Sequence, residues 1–251
     1  MISLRANDWT IEGVETVLFD KDGTFIDLHY FWGKMTELRV VEIIKRYNLD
    51  TSLFSKLCEH LGYVFETGRM LSDGITALYS RPKIIDIFSS DLRGYGVEVS
   101  HRELEEIFDY VSEVFYRDME KHTKPIEPAI GFIRELRKRG LKLGIVTSDS
   151  VESTRLTLDY FGWGDLFDVF MGRESTVEHK ESGVSTRMAL EAIGASSKTA
   201  IMVGDAPMDY LAAINADVER TILVSTGQID KEELLKTSPY VVDSLSEIEI
   251  Y

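Results

Sequence analysis

Asp20-Lys21-Asp22-Gly23-Thr24 follows a short apolar run, Val17-Leu18-Phe19. Two carboxylates this close at the end of a buried run need a cation or a shared proton between them. Gly23 lets the chain bend sharply and leaves no Cβ in the way of a ligand. Asp-Gly is also an ordinary turn pair, so these residues alone leave open both a turn and a site. Three further groups stand at comparable points downstream. Thr147 and Ser148 follow the apolar stretch Leu141–Val146. Lys180 lies after Leu166–Met171. Asp205 and Asp209 fall in Gly204-Asp205-Ala206-Pro207-Met208-Asp209, after Thr199–Val203. Each has a plain reading: Thr147 as a turn residue, Lys180 in a solvated run with Glu174, Glu178, His179 and Glu181, and Asp209 in the favourable first turn of a helix. Together they are acids for a cation, a hydroxyl and an ammonium.

The elements that must position these groups are strands alternating with helices. Strands are expected at residues 14–20, 141–146, 166–171, 199–203, 221–224 and 240–242. Helices are expected at 129–139, 151–161, 185–193 and 208–216, with Gly140, Gly162 and Gly194 as stops. This alternation predicts a mostly parallel sheet covered on both faces. The carboxyl ends of parallel strands share one edge, so residues distant in sequence can meet there around one ligand. Residues 30–116 read differently, as helices at about 31–47, 53–61, 70–79, 83–93 and 101–119. Phe31, Met35, Leu38, Val41 and Ile44 recur at helical spacing in the first. Ser100 and Glu103 form a capping box for the last. Residues 1–13 are a polar lead-in that could add an edge strand. The expected fold is α/β: a Rossmann-like parallel-sheet core, residues 1–28 and 121–251, with an α-helical domain, residues 29–120, inserted after the first core strand.

The order D-x-D-G-T, then a strand ending in Thr, then Lys, then G-D-x-x-x-D resembles the haloacid dehalogenase superfamily. The resemblance covers residues 14–28 and about 125–243. The helical insert sits where the phosphoglycolate-phosphatase-like branch of that superfamily carries its cap. One departure is that Glu181, where the branch often has Pro, follows Lys180. The resemblance implies a Mg²⁺-dependent phosphatase acting on a small phosphorylated metabolite. It implies Asp20 as the nucleophile that forms an aspartyl-phosphate, and Asp22 as general acid and then general base. It implies metal binding by Asp20, Asp205 and the Asp22 carbonyl, with Asp209 orienting Lys180 or a metal-bound water. Thr147, Ser148, Gly23 and Lys180 would hold the phosphoryl group. Dehalogenases of this class need no acid at the Asp22 position, and the phosphonate-cleaving branch has a small residue there, so Asp22 points to phosphate transfer. The cap would close over the site and select the substrate, with His29, Tyr30, Trp32, Arg69, Arg81 and Lys83 as candidate contacts. Competing expectations are a phosphomutase of the same fold, a non-catalytic regulatory or binding protein, and a receiver domain, which would be about half as long.

Composition narrows the partners. The chain has 251 residues, 44% hydrophobic and 28% charged, enough apolar material for a real core. A net charge of −15 argues against a nucleic-acid partner, though a local cationic pocket can still take a small phosphate. The single cysteine, Cys58, excludes an intramolecular disulfide and is compatible with a reducing, cytoplasmic setting. Met1–Thr10 has no signal-type apolar core, and no run of about 18 apolar residues predicts a membrane span. Oligomeric state is not legible.

Overall fold

The computed structural model describes residues 1–251. The chain opens with a hairpin, β1 (Ile2–Ala6) and β2 (Trp9–Val14), joined by Asn7 and Asp8. Asn7 has φ 51°, the left-handed backbone that a two-residue hairpin loop requires. This segment is not an edge strand of the main sheet, as the sequence suggested. Its partners are each other and a strand at the far C-terminus, in a separate three-stranded antiparallel sheet. Next comes β3 (Thr16–Phe19), every residue of which is buried.

Residues Leu28–Lys124 form one compact unit, and Met1–Asp27 with Pro125–Tyr251 form the other. The first is mainly helical: α1 (Leu28–Tyr47), α2 (Phe54–His60), α3 (Ile75–Leu78), α4 (Arg81–Arg93), α5 (His101–Arg117) and α6 (Met119–His122). The Ser100–Glu103 capping box starts α5, whose buried face is Leu104, Ile107, Phe108, Val111 and Phe115. The stripe expected on α1 is rotated. Val41 is half exposed, and the buried residues are Phe31, Gly33, Met35, Thr36, Arg39, Val40 and Ile43. Arg39 is accommodated there by placing its guanidinium 4.1 Å from the Phe108 ring centroid. The helix expected at 70–79 is cut to one turn. A small hairpin, β4 (Tyr63–Val64) with β5 (Arg69–Met70), precedes it, and Gly62 packs directly on Gly74.

The other unit continues with α7 (Glu127–Lys138), β6 (Lys142–Val146), α8 (Val151–Phe161), β7 (Val169–Met171), α9 (Val184–Ala192), β8 (Ala200–Gly204), α10 (Pro207–Ile214), β9 (Thr221–Val224), α11 (Lys231–Leu234), β10 (Tyr240–Val242) and β11 (Glu249–Ile250). Six strands make an all-parallel sheet in the order β10-β9-β8-β3-β6-β7. Leu18 packs on one face with Ala189, Leu190, Met202 and Ala213. Phe19, one residue on, faces the other side against Phe132 and Phe167, as strand alternation requires. β3 is central, with β6 and β8 on either side. The chain runs to one side after β3 and returns to the other at β8, which makes β3 the switch point where ligands of such sheets bind. Phe19 pairs with Ile145 and with Val203, so the segments after all three strands leave the sheet side by side. No helix is long and apolar enough to cross a membrane.

Candidate active site at the ends of three strands

Asp20 is the first residue past β3, and its N–H extends the ladder by donating to Val203 O at 2.8 Å. The turn after it is fixed by three amides, of Thr24, Phe25 and Ile26, converging on Lys21 O. Gly23 has φ 88°, and a Cβ there would collide with the Asp205 carboxylate. Its N–H donates to Ile26 O at 2.8 Å. Gly23 thus shapes the turn and admits Asp205.

Lys180 reaches this turn from a short 3₁₀ segment, Lys180–Ser182. Gly183, at φ 75°, lets the segment press against the backbone of Asn215 and Ala216, where any side chain would clash. Asn215 Nδ2 donates to Glu181 O at 2.7 Å, so the residue that departs from the expected Pro is anchored through its backbone. Lys180 is buried, with Nζ 2.6 Å from Asp20 Oδ1 and 2.5 Å from Asp209 Oδ1. Burial works against its charge, but Asp20 and Asp209 outweigh burial and hold its pKa above the ordinary lysine value.

Asp209 sits in the first turn of α10. Its Oδ2 accepts from the amides of Asp205 (3.1 Å) and Ala206 (3.0 Å). Burial raises its pKa to about 6 against the opposing pull of Lys180. Asp205 is raised well above the usual carboxylate range by burial and by the neighbouring Asp20 and Asp209 charges. One ligand oxygen each from Asp20, Asp205 and Asp209 lies within 4.8 Å of the others. Three hard oxygens with this excess of negative charge suit a divalent cation. Asp209 is the least available of the three, because Lys180 and two amides already engage its oxygens.

Thr147 follows β6 and is buried, with its Oγ1 accepting from the Asp149 amide at 3.1 Å. Ser148 is exposed, and its hydroxyl faces Met208 Sδ at 3.7 Å. Asp22 is buried beside a residue that the sequence reading passed over. Lys21 is fully buried, and its Nζ lies 2.5 Å from Asp22 Oδ1 and 3.0 Å from Asp149 Oδ2. Burial lifts Asp22 to about 6, with Lys21 opposing and Asp149 and Asp20 adding to the rise. Thr226 was also missed. Its hydroxyl donates to Gly23 O at 2.5 Å, while Gly227 is held so close to Asp205 that a Cβ could not fit.

Within the helical unit, His29 Nδ1 accepts from Met70 N at 3.1 Å, and Tyr30 Oη donates to Lys121 O at 2.8 Å. Trp32 packs edge-on against Phe31. Arg81 bonds Glu105 O and Asp109. Arg69 and Lys83 are exposed.

Residues 14–217 match the model of the haloacid dehalogenase-like hydrolases. A pyrophosphatase PpaX of Halalkalibacterium halodurans is 24% identical over 237 residues, 92% of this chain and 96% of that one. A phosphoglycolate phosphatase of Psychrobacter arcticus is 27% identical over 148 residues, covering 57% and 64%. The crystal structure of a predicted phosphoglycolate phosphatase from Haemophilus somnus shares the fold, with TM-score 0.70 at 16% identity over 94% of this chain and 97% of that one. With its D-x-D-G-T turn, buried lysine and acidic loop at adjoining strand ends of a parallel sheet, the chain belongs to the haloacid dehalogenase-like hydrolase family.

Proposed function

We propose that the protein hydrolyses small phosphate monoesters or a phosphoanhydride, with Asp20 as nucleophile. The observation that carries this reading is the setting of Asp20. It emerges from the central strand, against the Lys180 ammonium at 2.6 Å and within an acidic group that can hold a cation. Asp20 attacks phosphorus and the bond from phosphorus to the leaving oxygen breaks. The Asp22 carboxyl gives its proton to that oxygen. Water then attacks the aspartyl-phosphate and returns a proton to Asp22. Cleavage of the bond between phosphorus and Asp20 frees inorganic phosphate and restores the carboxylate. A carboxyl titrating near 6 can serve in both directions close to neutral pH.

The Thr147 hydroxyl accepts from the Asp149 amide and keeps its own proton to donate to a phosphoryl oxygen. Ser148 contributes through its main chain, since its hydroxyl faces Met208. Lys180 neutralises charge on Asp20 and on the transferring group. Asp20, Asp205 and the Asp22 carbonyl are the groups that would hold Mg²⁺, and Asp209 orients Lys180. When bound, the ion offsets the repulsion between an anionic ester and an anionic nucleophile. Relatives named for pyrophosphate and phosphoglycolate make these two the first substrates to try.

The test is phosphate release from pyrophosphate, phosphoglycolate and sugar phosphates, with and without Mg²⁺, by wild type and Asp20→Asn. Metal-dependent release abolished by Asp20→Asn is expected. Release that survives the substitution removes Asp20 as nucleophile.

A further inference from the structure

Lys21 stands between the two acids of the turn, where its ammonium is fully buried. Burying a charged amine costs several kcal/mol unless its partners repay that cost, and an apolar side chain of the same length would avoid it. Stability alone therefore does not account for lysine here. Its geometry is that of a bridge, from Asp22 Oδ1 (2.5 Å) to Asp149 Oδ2 (3.0 Å).

Asp149 is itself held on both oxygens. Ser153 Oγ donates to Oδ2 at 2.5 Å and the Ser150 amide to Oδ1 at 2.7 Å. Ser150 also caps α8, accepting from the Ser153 amide at 3.0 Å, so the anchor is built into the start of a helix. The Asp149 amide reaches back to Thr147 Oγ1. One buried network thus joins Asp22, after β3, to Thr147, after β6.

We propose that Lys21 is a positioning residue for proton transfer: anchored by Asp149, it clamps Oδ1 of Asp22 and turns Oδ2 toward the leaving group. The inference rests on the reading of Asp22 as the proton donor and acceptor. Lys21 does not touch the ester. It fixes one oxygen of the carboxylate so that the other needs no search for the geometry in which the proton passes.

The consequence is a loss that depends on the leaving group. p-Nitrophenolate leaves without help from an acid, whereas an alkoxide needs one. Hydrolysis of the aspartyl-phosphate needs Asp22 as base for either ester. In Lys21→Met/Asp149→Asn the ammonium and the Asp149 carboxylate are removed together, so Asp149 is not left as a buried ion without its cation and only Asp22 loses a partner. Lys21→Met alone is the companion variant, and circular dichroism verifies both.

Two rates are read. One is the pre-steady-state burst of nitrophenolate from p-nitrophenyl phosphate with Mg²⁺. The other is steady-state phosphate release from phosphoglycolate. Expected is a burst rate within about threefold of wild type, then slowed turnover with aspartyl-phosphate accumulating. Release from the alkyl ester falls about 10²-fold, the lower end of what a general acid contributes. Asp22→Asn should give the same pattern. Burst and alkyl turnover falling together in folded protein, or neither falling, overturns the positioning role and leaves the phosphatase reading intact. A wild type with no Asp20-dependent release overturns both.

Discussion

Two buried lysines hold the two carboxylates of the same turn. Lys180 bridges Asp20 and Asp209, and Lys21 bridges Asp22 and Asp149. Each ammonium is pushed down by burial and held above its ordinary value by two carboxylates. The surroundings differ. Around Lys180 the negative charge is in excess, since Asp205 adds a third acid to its pair and is raised well above the carboxylate range. Around Asp149 the charge is met. Burial would raise that carboxyl, but Lys21, Ser153 and Ser150 together bring it below its usual value. One side is poised to take a cation, and the other is closed on itself. The side with excess charge suits nucleophile and metal, and the balanced side suits a group whose geometry must not drift.

The largest expected effect comes from Lys180→Met. In the proposed mechanism it would remove charge stabilisation from the transferring group, an expected loss of about 10²–10³ in turnover. It also leaves Asp20, Asp205 and Asp209 facing one another, and breaking a buried pair this way costs about 3–5 kcal/mol. Mg²⁺ held as proposed by Asp20 and Asp205 would supply replacement positive charge beside the trio. Thermal denaturation of Lys180→Met should show a melting temperature lowered without Mg²⁺ and largely restored with it. Lys21→Met should show no such rescue, because its two carboxylates lie outside the trio and Asp22 is proposed to meet the ion only through its main-chain carbonyl. Equal rescue of both variants would mean that the two lysines support a single site, and the comparison would fail.

Protons provide a second probe. Burial raises the Asp209 pKa to about 6, against 3.8 for an ordinary Asp, and with the neighbouring carboxylates it raises Asp205 well above its ordinary value. The folded protein keeps these protons at pH values where the unfolded chain has lost them. Their contribution to stability is complete below the unfolded value and disappears as pH rises through the folded one. Metal-free protein should therefore lose stability as pH rises from about 4 through about 6. Mg²⁺, competing with the proton for the Asp205 carboxylate, should stabilise strongly at the upper pH and little at the lower. A Mg²⁺ shift of equal size at both values would place the cation elsewhere.

The two sides also differ in how legible they were. Asp20, Asp205 and Lys180 stand out because each follows a strand of a parallel sheet, and hydrophobic runs mark where such strands stop. The sheet itself follows from alternating elements, and Thr221–Val224 and Tyr240–Val242 fall where the pattern puts them. Lys21 was invisible because a lysine between two aspartates looks solvated. Its partner is 128 positions away in a loop that reads as an ordinary turn, and only the pairing of β3 with β6 brings them together. Thr226 and Gly227 were missed for the same reason, their relation to Gly23 and Asp205 being made by the fold alone. The N-terminal hairpin could not be assigned to its sheet without β11, its partner at the other end of the chain. On α1 the error was local. A three-and-four spacing fits more than one face of a helix, and the buried Arg39 on the true face lowered its apolar signal.

Ser153→Ala is the smallest change and the finest test of the closed side. The hydroxyl gives Asp149 one charge-assisted hydrogen bond, and its loss in a buried setting costs about 1.5–3 kcal/mol. Asp149 keeps Lys21 and the Ser150 amide, so the clamp is loosened rather than removed. Release from phosphoglycolate should fall by about threefold, with the nitrophenolate burst unchanged and the Mg²⁺ stabilisation the same as in wild type. That combination would separate Asp149 from the acidic trio at the level of one hydrogen bond. A changed response to Mg²⁺ would show instead that the network runs through Asp22 into the acidic trio, making the two lysines parts of one electrostatic unit.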